Sequence, residues 1–268
     1  MSNWPRRSKN DSTYLMEPGF LGVPDVSTWL FWGLTLFAAF TAFVGIATGA
    51  AGGLLMMVAL ATIFPPVVSI PLHTVVQMGG NLSRTVFMFK YIIKPVLLPF
   101  IIGGIIGAIA GANIFISLPV TVLQGLLGLS VLVFLWMPSL GQIGGQRNRF
   151  ALVGFFATFL GVFVSATGTL VAPFVASEAP DRRNHVATFS TLMALVHILK
   201  LCAFGFIGFA LAAYLPLMLC MIAAAIGASY IGSKALNHIK ERNFRIVFKT
   251  ICTLLALRLI WIALGVEL

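Results

Sequence analysis

Four polar residues, His73, Gln77, Asn81 and Arg84, recur at steps of four, four and three through a stretch of otherwise apolar side chains. On a helix turning 100° per residue they fall within an arc of about 80°, one narrow stripe. A later apolar stretch carries Ser190, His197 and Lys200 along one side. A cation at the centre of a bilayer costs roughly 2.5–3.5 kcal/mol on insertion scales, so such a residue faces a cavity, pairs, or marks function. Donors and positive charges aligned in this way could bind an anion. None of the seven acidic residues lies within an apolar stretch, which speaks against a cation site or a carboxylate proton relay. His197 is the one candidate proton acceptor inside the membrane, and so the candidate for proton coupling. The plain alternative for Arg84, close before Lys90, and for Lys200 is snorkelling to the interface. His73, near the start of its helix, reads equally as an interfacial residue.

The elements that must hold these residues are punctuated by glycine. Gly45-Ile-Ala-Thr-Gly49-Ala-Ala-Gly52-Gly53 returns as Gly161-Val-Phe-Val-Ser165-Ala-Thr-Gly168-Thr169, 116 residues later. The same offset carries Asn81-x-x-Arg84 onto His197-x-x-Lys200 and Gly111 onto Gly227. One offset held without a gap over this span indicates an internal duplication. A half-helix beginning after Gly52-Gly53 or after Gly168 would present unpaired N–H groups and a positive dipole end to an anion. On this reading Gly49, Gly52, Gly53, Ser165, Gly168 and Thr169 join Gln77, Asn81, Arg84, His197 and Lys200 as candidate substrate-binding residues. The competing reading is close helix packing, which Gly45-x-x-x-Gly49 also satisfies and to which Gly103, Gly107 and Gly111 are assigned.

Composition fixes the surroundings. The chain is 59% hydrophobic and 9% charged, with a mean hydropathy of +1.02. It reads as an all-α polytopic membrane protein. The net charge of +10 belongs to basic loops under the positive-inside rule and gives no case for nucleic acid. Ten apolar elements are expected, at about 28–49, 53–67, 71–89, 95–117, 120–138, 150–166, 168–177, 187–208, 212–232 and 246–266. The elements at 53–67 and 168–177 are short and end near Pro65, Pro66 and Pro173. Each therefore pairs with its predecessor as a glycine-broken helical hairpin followed by three transmembrane helices.

Hairpins place Lys90, Lys94, Arg147, Arg149, Arg182, Arg183, Lys234, Lys240 and Arg242 on one side of the membrane. The uncharged loops near 67–71, 118–120 and 209–212 fall on the other. The second repeat then enters from the face opposite to the first, giving two inverted-topology repeats with both termini outside. The expected organisation is a polar N-terminal tail at 1–27, repeat 1 at 28–138, a cytoplasmic loop at 139–149 and repeat 2 at 150–268. Cys202, Cys220 and Cys252 read as small core residues, and no metal site or cofactor is expected. No GxxxxGK[ST] loop is present, so the chain is not expected to hydrolyse ATP.

The glycine-rich first hairpin, the run His73-x-x-Val76-Gln77-x-x-x-Asn81-x-x-Arg84, and His197-x-x-Lys200 followed by Phe204-Gly-Phe-Ile-Gly208 resemble the sulfite exporter TauE/SafE family, also called the toluene sulfonate uptake permease family. The resemblance runs over about residues 30–265. Ser165 and Thr169 stand where the family commonly has glycine. Membership implies a secondary transporter, an exporter of sulfite or an organosulfonate, in the bacterial inner (plasma) membrane. Its partners would be a small anion and the lipid bilayer, with a homodimer left open. Two rivals remain. One is an uptake permease for thiosulfate or another oxyanion. The other is an intramembrane enzyme with Ser190 or Cys202 as nucleophile and His197 as base, for which no acidic residue is at hand to orient the histidine.

Overall fold

The computed structural model describes residues 19–48, 51–115, 117–136, 149–164, 167–206 and 212–235, with shorter pieces between 250 and 264. Among the described residues within 19–235, nine α-helices follow one another with short 3-10 turns between some of them, and there is no strand. They are α1 (Thr28–Thr48), α2 (Ala51–Ile63), α3 (Pro66–Phe87), α4 (Leu97–Phe115), α5 (Val120–Trp136), α6 (Arg149–Val164), α7 (Gly168–Glu178), α8 (Arg182–Phe206) and α9 (Leu215–Ala235). Helical residues reappear between 253 and 263, inside the tenth expected element.

Four of these stretches, Thr28–Gly45, Lys94–Phe115, Arg182–Gly205 and Ala212–Gly232, are long and apolar enough to cross a membrane. Their outward faces carry Trp29, Leu36, Leu98, Ile102, Ile106, Ile109, Leu215 and Leu219, all exposed. Such a surface would be untenable in water and suits acyl chains. The chain is an all-α, multi-pass membrane protein.

Several boundaries differ from expectation, for local reasons. α3 begins at Pro66, not 71. Pro65 caps it in an extended conformation, and Pro66 occupies the first turn, where a missing N–H costs nothing. α8 begins at Arg182, not 187, because Asp181 caps it: its Oδ1 accepts from Asn184 N at 2.9 Å. Arg182 and Arg183 therefore lie in a first helical turn rather than in a loop. Arg149 likewise opens α6 and pairs with Glu178 at 2.6 Å. α7 runs from Gly168 through Pro173 to Glu178, one residue beyond the expected 168–177. The end of the N-terminal tail is not polar surface, since Val23 and Val26 are buried and Phe20 meets Phe31 at 5.1 Å.

The packing repeats when the two halves are exchanged. α4 lies on α6 and α1 on α9, α3 packs on α8, and α2 touches α7. One apolar core joins Leu34, Met56 and Val76 of α1–α3 to Met221 of α9. Its counterpart joins Phe150, Val171 and Leu192 of α6–α8 to Phe100 of α4. Each core thus takes three helices from one half and the fourth from the other.

The α4–α6 seam is a glycine ladder. A Cβ on Gly103 would strike the Ala151 carbonyl, and one on Gly107 the Phe155 carbonyl. One on Gly111 would sit 3.1 Å from Phe159 O. Between helices in lipid the hydrophobic effect drives little, so this backbone approach supplies van der Waals contact in its place. The assignment of these glycines to packing agrees with that geometry.

Candidate functional site

α3 and α8 form the middle of the bundle and run antiparallel. Thr191 Oγ1 donates to Thr85 Oγ1 at 3.3 Å, while the His197 and His73 rings meet with centroids 6.0 Å apart. Rising numbers on one helix therefore meet falling numbers on the other. The polar stripe of α3 and the His197–Lys200 side of α8 turn towards this seam. His73, Asn81, Arg84, His197 and Lys200 are each buried, with Lys200 at 0% exposure.

Within α3 the stripe is wired along the helix. Asn81 Nδ2 donates to Gln77 O at 2.8 Å. Arg84 donates from a terminal nitrogen to Asn81 Oδ1 at 3.0 Å and from Nε to Gly80 O at 3.1 Å. Both of these acceptors are neutral, so they orient the Arg84 guanidinium without cancelling its charge. His73 Nε2 lies 2.9 Å from Gly53 O, which ties α3 to the first turn of α2. His73 is consequently no interfacial residue, because α3 starts seven residues before it.

Each cation rests against a glycine of the preceding hairpin. A Cβ placed on Gly45 would lie 3.6 Å from an Arg84 guanidinium nitrogen. One on Gly161 would lie 3.3 Å from Lys200 Cδ and 3.6 Å from Thr167 Oγ1. The 116-residue offset relates both the two glycines and the two cations. The register sets Thr85 opposite Thr191 and His73 opposite His197, so Arg84 and Lys200 stand towards opposite ends of the seam. One polar seam therefore gathers groups from α3 and α8, with α1, α2 and α6 approaching through glycine.

The candidate residues divide. Gln77, Asn81, Arg84, His197 and Lys200 are brought together, and Gly53 joins them, since a Cβ there would meet the Gln77 amide nitrogen. Gly52 is different. A Cβ on it would run into the Thr41 carbonyl and lie 2.6 Å from Gly45 N, so it sits in the α1–α2 crossing. Gly168 is the first residue of α7 and is buried, and Thr169 follows it with its hydroxyl buried. Gly49 and Ser165 lie outside the described residues.

Sequence reasoning passed over Gly45, Gly161 and Thr167, although all three stood in the repeated motif or beside it. The offset already paired Gly45 and Gly161 as it paired Arg84 and Lys200. Of the cysteines, Cys202, also a nucleophile candidate, is exposed on α8, against the expectation of a core residue, and Cys220 is half-buried. Ser190 Oγ and His197 Nδ1 are both buried without a hydrogen-bond partner among the described residues, so they do not form a nucleophile–base pair. Those residues also hold no cluster of three or more metal-ligating side chains.

An apolar-surfaced helical bundle of this kind defines a multi-pass membrane protein. Residues 34–259 match the sulfite exporter TauE/SafE family, and the chain belongs to it. Membership makes the chain a membrane transporter in a family named for the export of a sulfur anion. No curated protein and no solved structure matched the chain.

Proposed function

We propose that the chain is a secondary exporter of a small sulfur-containing oxyanion, sulfite or an organosulfonate, in the bacterial inner membrane. It would work by alternating access between two inverted repeats, 28–138 and 150–268. One observation carries the reading: Arg84 and Lys200, equivalent under the internal offset, are both buried at the α3–α8 seam, each against an equivalent glycine. The antiparallel course of α3 and α8 supports the inversion, because equivalent helices of inverted repeats must run in opposite directions.

On this reading the moving bodies would be α1–α3 with α9 and α6–α8 with α4, each with an apolar core of its own. The polar α3–α8 seam between them would receive the anion. A third core, Leu54 and Val58 of α2 with Val162 of α6 and Phe204 of α8, would be the apolar contact they share. An anion leaving a negative interior gains about 2.3 kcal/mol per charge per 100 mV, which favours export. His197, buried against the His73 ring in this seam, is the candidate for a coupled proton.

The test is flux of labelled sulfite from liposomes holding the purified protein under an imposed potential. Lys200→Gln should weaken sulfite binding by about 1.5–3 kcal/mol, roughly 10- to 150-fold, as expected for a lost charge-assisted hydrogen bond, and Arg84→Gln should weaken it through the loss of a nearby positive charge. Variants that fold and bind normally would return both cations to a structural role.

A further inference from the structure

The two halves are unequal at the centre. In the first half, His73 is engaged by Gly53 O, Asn81 by Gln77 O, and Arg84 by Asn81 and Gly80. In the second, Thr167 Oγ1, Thr169 Oγ1 and His197 Nδ1 are buried with no hydrogen-bond partner among the described residues. The sequence draws the same contrast, since the offset sets Thr167 against Ala51 and Thr169 against Gly53. Hydroxyls stand at these positions in one half only.

Thr167 occupies the N-cap of the eleven-residue α7, yet its side chain makes no capping bond. Leu170 N and Val171 N instead reach the Thr167 carbonyl, at 3.0 and 3.2 Å. The N–H groups of Gly168 and Thr169 stand in the turn where a helix has no carbonyl of its own to offer. A threonine at an N-cap ordinarily spends its hydroxyl on such an N–H. Here the hydroxyl is 0% exposed with its residue, and it lies 3.6 Å from the point in front of Gly161 that is also 3.3 Å from Lys200 Cδ. Glycine at 161 thus lets the hydroxyl of a helix N-cap and a lysine stem approach one point, with Val196 Cγ1 at 3.5 Å as its apolar wall.

We propose that the second half holds the substrate's oxygens. Thr167 donates its O–H, Lys200 supplies the counter-charge, and His197 donates from Nδ1, while Arg84 of the first half contributes field without direct exchange of its bonds. Donors converging from α7 and α8 select an anion with oxygens pointing two ways, a pyramidal or tetrahedral oxyanion rather than a halide. This assignment rests on the anion-transport reading and adds to it a binding residue and a side.

The experiment uses the full-length protein in liposomes with sulfite as probe, and three threonine variants. Thr167→Val removes the hydroxyl and keeps the shape, and should raise the sulfite KM about tenfold, the loss of one hydrogen bond to an ion. Thr167→Ser should restore it to within about twofold, because the donor returns. Thr158→Val is the control. The Thr158 hydroxyl is equally buried and unpartnered but lies on α6 beside Gly104, and its loss should leave KM unchanged.

A Thr167→Val protein with wild-type KM, in a background where Lys200→Gln loses binding, overturns the Thr167 assignment and leaves the anion site standing. A KM defect that serine fails to restore overturns it as well. If Arg84→Gln and Lys200→Gln both bind sulfite normally, the anion site falls, and this proposal with it. The same follows if the wild type neither binds nor carries sulfite, sulfate, thiosulfate or methanesulfonate.

Discussion

Adjacent glycines at the start of α2 should respond in opposite ways to the same added methyl group. At Gly52 the new carbon meets backbone on two sides, the Thr41 carbonyl and the Gly45 N and Cα, the latter at 2.6 and 2.8 Å. Backbone of a packed helix cannot swing aside, so α1 and α2 must separate. Overpacking of this kind costs about 1–3 kcal/mol. In a chain of this size each kcal/mol lowers the melting temperature by about 2–4 °C, so Gly52→Ala should melt at least a few degrees early.

At Gly53 the carbon meets the far end of the Gln77 side chain, with Gln77 Cδ at 3.7 Å and His73 Nε2 at 4.0 Å. A glutamine tip can rotate away, and alanine in place of glycine favours the helix by about 1 kcal/mol. Gly53→Ala should therefore melt at or above the wild-type temperature, while the displaced Gln77 and crowded His73 reduce anion affinity about three- to tenfold. Melting in detergent and sulfite flux in liposomes, measured on both variants, separate stability from binding. Parallel loss of both properties in both variants would refute the reasoning, because it would place Gly53 in the same crossing as Gly52.

Two further outcomes can be checked. Gly107→Val pushes a branched side chain into the Phe155 carbonyl across the α4–α6 ladder and should cost at least about 3 kcal/mol, read as loss of folded protein on size exclusion. Single cysteines at Gln142 and Asn237, in a cysteine-free background, should resist an impermeant thiol reagent in intact cells if the basic stretches 139–149 and 233–243 face the cytoplasm as the positive-inside rule predicts. Ready labelling of either would overturn the inverted arrangement.

Much of this was legible from residue spacing. Helix existence followed from hydropathy, and the α3 stripe from a 3.6-residue period broken only by polar side chains. Boundaries were less legible, because they depend on which residue caps a helix. Prolines at 65 and 66 read as the end of one arm, whereas they also open the next. Asp181 read as loop charge, whereas its carboxylate starts α8. His73 was misplaced through that same error, since five residues at the start of α3 decide whether it lies at the interface or under α2. The functions of Gly52 and Gly53 could not be parted by sequence. Both suit a tight approach, and only the neighbour across the gap distinguishes a carbonyl from a flexible amide.

The exchange of helices between halves was equally hidden, for a different reason. Leucine, valine and phenylalanine on α4 or α9 pack as well against one half as the other, so apolar pattern alone carries no address. What gives the address is glycine: Gly103, Gly107 and Gly111 of the first half each face the α6 backbone of the second. A seam closed by backbone contact resists sliding, because any shift moves several carbonyls into Cα hydrogens at once. The α3–α8 seam is of another kind, joined by a threonine pair and a histidine pair with cations on either side. Its side chains can re-pair within their own helices, as Asn81 and Arg84 already do, so separating it exposes few unmet groups. The glycine seam and the polar seam therefore differ in kind: the first is held by backbone contact, the second by side chains that have partners within their own helices.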